Sequence, residues 1–466
     1  MITTQQTVAH GRHAVNLVEA KSAVMNISVI GLGKLGLCTA ACLASKGHHV
    51  IGVDSNMQLM GRLQAGECPI QETGLPELLQ KARGNFEVSM DVTEAVRRSD
   101  VTMIIVPTPS GPDGKFSNEY LKVALKVIGA ALKSQSRFHV VDVVSTVMPG
   151  SCDNEFRPLL EKLSGRVCGR DFGLVYNPEF IALGSVVRDF MRPDMVLIGA
   201  SDDRSGRMVE QIYLNCCESS PYIATMSLFN AELSKLSLNC FVTTKISFAN
   251  ELAALCENLP GADVDVITNA IGCDSRIGSK YLRGGLGFAG TCFPRDNVAF
   301  GVFAKEVGHK ARLSSATVAI NDSVVERLLG VITSKVPAGE KVALLGMSFK
   351  PHTHIVEKSQ SIMLAQRLIE AGYAVSVHDP SAMDETAAVL GKSVEYCPNP
   401  RECAAEAAAV VLLTSWPEYR TLDWDEIEKS AAPDAILLDS WRELKDRQWT
   451  KFEYIGLGLG GERRDD

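Results

Sequence analysis

The chain has 466 residues, 46% of them hydrophobic and 22% charged, with a formal net charge of −8. That length suits two or three domains with buried cores, and the acidic balance gives no support for nucleic-acid binding, which usually needs a basic face. No apolar run reaches the roughly 18–20 residues that span a bilayer, so no membrane association is expected. The 13 cysteines show no metal-ligand spacing; they read as thiols of a protein in a reducing cytoplasm, with no metal site.

Residues 1–24 are polar and lack the apolar core of a secretory signal; they read as a flexible extension, with Met25 a possible alternative start. Asn26–Ile30 reads as a short buried strand, followed at once by Gly31-Leu-Gly33-Lys-Leu35-Gly36 and a helix of small residues from Leu37 to Ser45. A second strand, His49–Val53, ends at Asp54. A lone GxGxxG is weak, but one between strand and helix, with an acid 23 positions after its first glycine, is a strong dinucleotide fingerprint. Gly31 permits the tight turn, Gly33 lets a pyrophosphate approach the backbone, and Gly36 lets the helix pack on the sheet. The helix N-terminus supplies N–H groups and partial positive charge. Asp54 suits ribose hydroxyls and would repel a 2′-phosphate, which favours NAD over NADP.

Val101–Val106 and Phe138–Val144 read as further strands. They end in Pro107-Thr108-Pro109 and Ser145-Thr146, placed beside the cofactor because ligands bind at strand C-termini of open parallel sheets; the same residues also serve as ordinary turn and cap residues. Phe229–Leu259 contains no glycine or proline, and Leu233, Leu236, Val242, Ile246 and Phe248 recur at helical spacing. Such a helix, roughly 45 Å long, suits a domain bridge or a dimer interface. Lys235 and Asn239 share one face of it, although a helical lysine is most often solvated. Gly285-Leu-Gly287-Phe288-Ala-Gly-Thr-Cys292-Phe-Pro-Arg295-Asp296 offers a nucleophilic thiol in a loop that substrate and backbone N–H groups can approach closely. Val342–Leu345, Ala374–His378, Ala409–Leu413 and Ile436–Leu438 repeat the strand–helix pattern, with Phe349 and Lys350 after the first of them. The fold class is therefore α/β: two doubly wound Rossmann-like domains joined by a long central helix. The expected division is an extension to 24, an NAD-binding domain over 25–220, a helical linker and dimerisation region over 221–330, a second ligand-binding α/β domain over 331–458 and a mobile tail over 459–466.

These motifs stand in an order that resembles the UDP-glucose/GDP-mannose dehydrogenase family from about Asn26 to Arg442. They are the Gly31 fingerprint, Val106-Pro-Thr-Pro109, Ser145-Thr-Val147, Asn177-Pro-Glu179-Phe180, Ala231-Glu-Leu-Ser-Lys235 with Asn239, Lys245-Ile-Ser-Phe-Ala-Asn-Glu251, Asp274-Ser-Arg276-Ile-Gly278, the Cys292 loop and Ser348-Phe-Lys350-Pro. The resemblance implies two successive NAD-dependent oxidations of a sugar's primary hydroxyl to a uronic acid, with a thioester on Cys292. Lys235 and Asn239 would stabilise the developing oxyanion. Glu179 and Asp296 would move protons and position water, and Thr146 would join the catalytic set. Cofactor contacts would come from Gly31, Gly33, Leu35, Gly36, Asp54, Pro107, Thr108, Ser145, Thr146 and Arg295. The nucleotide sugar would meet Glu179, Phe180, Lys235, Asn239, Gly287 and Phe288, together with Tyr281, Phe349 and Lys350. The resemblance also implies a homodimer in which Arg276 reaches the neighbouring subunit's substrate.

Three positions depart from the family pattern. Leu183 replaces a common glutamate, Arg295 replaces the common lysine before Asp296, and Glu357 replaces an arginine in the segment after Lys350. UDP-glucose is the leading substrate; GDP-mannose, a UDP-N-acetylhexosamine and dTDP-glucose are the alternatives. A two-electron hydroxy-acid dehydrogenase would have no need of Cys292 or the second α/β domain, and a non-catalytic nucleotide binder would have no need of Cys292, Lys235, Asn239 and Asp296.

Overall fold

A computed structural model describes residues 24–181 and 184–461. The first sheet holds β1 (Asn26–Ile30), β2 (His49–Val53), β3 (Phe86–Ser89), β4 (Val101–Ile104), β5 (His139–Val143), β6 (Phe172–Tyr176), β7 (Met195–Ala200) and β8 (Tyr222–Met226). Their order is β3-β2-β1-β4-β5-β6-β7-β8, parallel except where β7 turns against β6. The second sheet holds β9 (Lys341–Leu345), β10 (Ala374–His378), β11 (Glu395–Tyr396), β12 (Ala409–Leu412), β13 (Ile436–Asp439) and β14 (Glu453–Gly456), ordered β11-β10-β9-β12-β13-β14 and parallel throughout. Strand order reverses beside β1 in one sheet and beside β9 in the other, and each reversal opens a crevice at the strand C-termini.

The central strands are short unbroken apolar runs because helices cover both of their faces. Val29 and Ile27 of β1, and Val342 and Leu344 of β9, are fully buried. Each such side chain contributes about 1.5–3 kcal/mol on leaving water. The helix Lys34–Ser45 buries Gly36, Ala40, Ala41 and Ala44 against the sheet, and small residues there allow close approach. The β8 strand carries the first sheet to Met226, past the expected boundary at 220. Helix Arg312–Lys335 crosses the expected boundary at 330 and buries Val324, Leu328 and Ile332 in the second domain's core.

The central helix spans Leu228–Cys256, with the Ser227 hydroxyl accepting from Asn230 N at its start. Its buried face differs from the expected apolar stripe. Glu232, Lys235, Asn239, Thr243, Ser247 and Asn250 point inward, while Phe241, Phe248 and Leu255 are exposed. Leu228, Ala231, Leu236 and Ala253 are buried beside these polar residues in hydrophobic clusters, and the polar side chains are stable there because partners meet them, such as Gly150 N for Glu232 and Asp296 for Asn239.

The expected mobile tail is corrected for its first residues. Gly458 N donates to Glu257 Oε1 at 2.7 Å, Gly460 N to Ala262 O at 2.8 Å, and Val264 N to Gly458 O at 3.1 Å. A Cβ on Gly460 would stand 1.8 Å from Leu259 O, so the glycines let this segment lie flat against the end of the central helix. Residues 462–466, the N-terminal extension through 23 and Leu183 lie outside the described residues. Among the described residues no helix is long and apolar enough to cross a membrane.

Candidate active site

The first crevice has the shape of a dinucleotide cradle. Gly31 sits at φ +95° with its N–H bonded to Val53 O at 2.8 Å. A Cβ on Gly31 would meet Ile105 O at 2.3 Å, and one on Gly36 would meet Gly31 O at 1.8 Å. Over Gly33 there is open space, and no side chain caps the helix that begins at Lys34. Its first-turn N–H groups are thus available to an anion. Asp54 follows β2 and braces this loop, with Leu32 N donating to Oδ2 at 2.7 Å and Asn56 N to Oδ1 at 2.8 Å. Leu35 packs against the first domain's core. These features fit NAD.

The two turns beside the cradle are fastened by their own hydroxyls. Ser145 Oγ accepts from Val106 N at 2.9 Å and donates to Val106 O at 2.7 Å, which holds the chain entering Pro107. Thr108 Oγ1 donates to Thr146 O at 2.7 Å. Arg295 Nη1 donates to Thr108 O at 2.8 Å, and its guanidinium stacks over Phe116. Arg295 therefore ties the helix after Cys292 to the first domain.

Across the crevice, the inward face of the central helix meets the Cys292 loop. Lys235 is 7% exposed. It donates to Glu179 O at 2.5 Å and lies 4.4 Å above the Phe180 ring. Burial lowers its ammonium below the ordinary lysine range, against the pull of Asp296, Cys292 and Glu179. Asn239 Nδ2 donates to Asp296 Oδ2 at 2.6 Å. Burial raises Asp296 above the usual carboxylate range, while Asn239, Arg295 and Lys235 act the other way. Burial also pushes the Glu179 carboxyl up to about 7, opposed by the Tyr213 hydrogen bond and the Lys235 charge. Tyr213 OH donates to Glu179 Oε1 at 2.8 Å and lies 2.6 Å from Asn177 Oδ1. Cys292 is exposed and stands at the N-terminal end of helix Phe293–Glu306, within electrostatic reach of Lys235 and Lys350. A nucleophile, a buried cation, two carboxyls with raised proton affinity and a dinucleotide cradle thus converge on one crevice, as a redox step with a covalent intermediate requires.

The second domain contributes Phe349 and Lys350. A Cβ on Gly290 would stand 2.9 Å from the Phe349 ring, so the Cys292 loop rests directly on it. Lys350 lies 5.7 Å from the same ring, and burial lowers its ammonium against the pull of Asp189 and Glu72. Tyr281 is exposed and meets Phe293 edge-on at 6.3 Å. Arg276 pairs with Asp274 on an exposed turn and is not brought into this crevice by its own chain.

Sequence reasoning missed the residues that shape the Cys292 loop. Asn250 Oδ1 accepts from Gly285 N at 2.8 Å, Gln360 Oε1 from Gly287 N at 2.6 Å, and Asn321 Oδ1 from Phe288 N at 2.7 Å. Three amide side chains, from three helices, hold successive parts of one loop. Gly287 has no room for a side chain, since a Cβ would stand 2.1 Å from Asn321 Oδ1. Polar residues inside long helices were the available signal, but in a sequence they read as a solvated face.

Comparison with known proteins places this arrangement. The UDP-glucose/GDP-mannose dehydrogenase family matches through its NAD binding domain over residues 25–217, its central domain over 229–323 and its UDP binding domain over 343–446. The UDP-glucose 6-dehydrogenase AglM of Haloferax volcanii is 35% identical over 407 residues, covering 87% of this chain and 94% of that protein. A GDP-mannose 6-dehydrogenase of Pseudomonas putida is 35% identical over 377 residues, covering 80% and 84%. The solved structure of a UDP-glucose dehydrogenase from Pyrobaculum islandicum superposes with a TM-score of 0.85 at 34% identity, covering 95% of this chain and 100% of that one.

Proposed function

The chain belongs to the UDP-glucose/GDP-mannose dehydrogenase family and is an NAD-dependent nucleotide-sugar 6-dehydrogenase, and we propose that it converts UDP-glucose to UDP-glucuronate through a thioester on Cys292. The observation that carries the mechanism is the convergence of Lys235, Asn239, Asp296 and Glu179 with the Cys292 loop. The substrate assignment is supported by the UDP-glucose 6-dehydrogenases among its relatives.

NAD, held by the Gly31–Gly36 cradle, would supply the hydride acceptor for each of the two oxidations. In the first, the primary alcohol loses a hydride and a proton to become an aldehyde. The Cys292 sulfur then adds to the aldehyde carbon, and the carbonyl oxygen takes a proton to give a thiohemiacetal. Loss of a second hydride and proton leaves the thioester. Water adds to its carbonyl carbon, the C–S bond breaks, and the carboxylate leaves while Cys292 is regenerated. Lys235 and Asn239 stabilise the oxyanions formed along this path, in a site whose low dielectric strengthens their interaction with the developing charge. A general base works best with a proton affinity near the working pH, and Glu179 at about 7 meets that condition for activating water. Asp296, next to Asn239, is the second proton carrier.

The assembly we propose is a homodimer through the central helix. Phe241, Phe248 and Leu255 recur every seven residues on its exposed face, an apolar seam suited to a second helix. Arg276 extends from an exposed turn, with its side chain 86% exposed, as a residue serving a neighbour's site would. The deciding experiment measures NADH formed per sugar consumed across UDP-glucose, GDP-mannose, UDP-N-acetylhexosamines and dTDP-glucose. Two NADH per UDP-glucose is expected, and one per sugar refutes the four-electron reaction. Cys292→Ala should abolish acid formation with stability changed by less than about 0.5 kcal/mol, as for an exposed position; normal acid yield would refute the thioester.

A further inference from the structure

Glu72 belongs to none of the motifs above, yet its carboxylate sits where three parts of the active site meet. It lies in the connection between helices Met57–Gln64 and Leu75–Ala82, with its side chain 0% exposed. Oε1 accepts from Val186 N and Oε2 from Gly184 N, each at 3.1 Å. Lys34, inside the dinucleotide fingerprint, places Nζ 3.8 Å from Oε2. Gly184 in turn borders the second domain, since a Cβ there would stand 3.4 Å from His352 O, two residues beyond Lys350. Burial disfavours the Lys350 ammonium; Asp189 and then Glu72 favour it by their charge, and Lys34 opposes them.

An anchor for two backbone N–H groups does not require a full charge, and burying one is costly without a cationic partner. Here the charge has two cations in its field, one on the cofactor loop and one on the wall of the nucleotide-sugar crevice. We propose that Glu72 is a positioning residue that couples the two ligand sites. An anionic cofactor phosphate beside Lys34 offsets that lysine's charge. The Glu72 carboxylate, released from Lys34, then holds the 184–186 segment more firmly beside His352 of the second domain, and so sets the wall on which Lys350 receives the diphosphate of the nucleotide sugar. The two hydrogen bonds keep the 184–186 segment in place while this happens. The inference rests on the nucleotide-sugar dehydrogenase reading and assigns it a route for cooperativity between ligands, which linkage requires to be reciprocal.

The test is calorimetric titration of the full chain with UDP, and with GDP in parallel, each with and without saturating NAD. Neither nucleotide is turned over. Wild type is expected to bind the diphosphate about five-fold or more tightly when NAD is present. In Glu72→Gln that ratio should fall to within two-fold of unity, and KM for the nucleotide sugar should rise about ten-fold while kcat changes less. Lys34→Met leaves both backbone hydrogen bonds intact and should lose the same coupling, which keeps the test open if Glu72→Gln folds poorly. Wild-type binding indifferent to NAD, or coupling retained in either variant, overturns the proposal. Failure of the substrate assignment shows separately, as absence of NADH from UDP-glucose with the UDP–NAD coupling intact.

Discussion

The amide clamp on the Cys292 loop makes the most direct demand on the structure. Asn321→Ala removes the acceptor for the buried Phe288 N–H at 2.7 Å and the donor to Phe288 O at 3.2 Å. A buried donor left without a partner costs about 1–3 kcal/mol, and the second lost hydrogen bond adds about 1 kcal/mol. The variant should therefore unfold in urea with about 2–4 kcal/mol less stability than wild type. Gln360→Ala strands Gly287 N and should cost a comparable amount. Both residues hold one loop, so the double variant should lose less than the two single losses combined, the excess showing as a coupling of about 1 kcal/mol. Activity should fall more steeply than stability. Phe288 is four residues before Cys292, the nucleophile we propose, and a displacement of about 1 Å at a reacting atom costs roughly 100-fold in rate. The assays are urea unfolding at fixed pH and the steady-state rate of NADH formation in folded protein. An Asn321→Ala variant within about 0.5 kcal/mol of wild type, turning over at the wild-type rate, would show that the loop keeps its shape without the clamp.

Two further predictions concern charge. The Glu179 carboxyl holds its proton more tightly folded than unfolded, because its folded value is raised to about 7. Its contribution to stability is thus complete below the unfolded carboxylate range, near 4.5, and is lost as pH rises through about 7. Glu179→Gln should gain in melting temperature relative to wild type from pH 6 to pH 8, and should lose the limb of the kcat profile near pH 7; a difference in melting temperature that does not vary with pH would refute the assignment. Arg442 is fully buried and bonds Asp265 through Nε at 2.9 Å and Nη2 at 2.8 Å, joining the second domain to the central region. Asp265→Ala should cost about 3 kcal/mol or more in urea unfolding, because it leaves a buried guanidinium without its counter-ion; a loss below about 1 kcal/mol would show that the carbonyl partners suffice.

The parts of the fold legible in the sequence are those governed by local pattern. β1, β2 and β10 occupy the expected residues, since a fully covered parallel strand is an apolar run with a turn at its end. β3 and β8, at the two edges of the first sheet, are left out of the sequence reading, as are β6, β7, β11 and β14. The two edge strands are short and mostly half-buried: β8 has no clean pattern, and β3, Phe-Glu-Val-Ser, alternates over only four residues. The cradle was legible because Gly31, Gly36 and Asp54 do their work within one βαβ unit. The inward polar face of the central helix was not, because what buries Lys235 and Asn250 arrives from segments far away in sequence. Glu179 and Phe180 hold Lys235, and Gly285 and Leu286 hold Asn250. Nor does periodicity report that Gly458 and Gly460 lie against the end of that helix.

The 29-residue central helix also constrains how this chain can vary. Lys235 and Asn239, to which we assign oxyanion stabilisation, stand near its beginning, and Asn250 braces the Cys292 loop about eleven residues further on. One inserted residue between them would swing the later part by about 100° and advance it by about 1.5 Å, sending Asn250 away from Gly285. Seven inserted residues would nearly restore the rotation but displace the brace by about 10 Å. The helix acts as a gauge block between two pieces of machinery. Away from the Phe241–Phe248–Leu255 seam, substitutions can accumulate along its outer surface, whereas changes in its length are barred, and length variation is left to the surface loops.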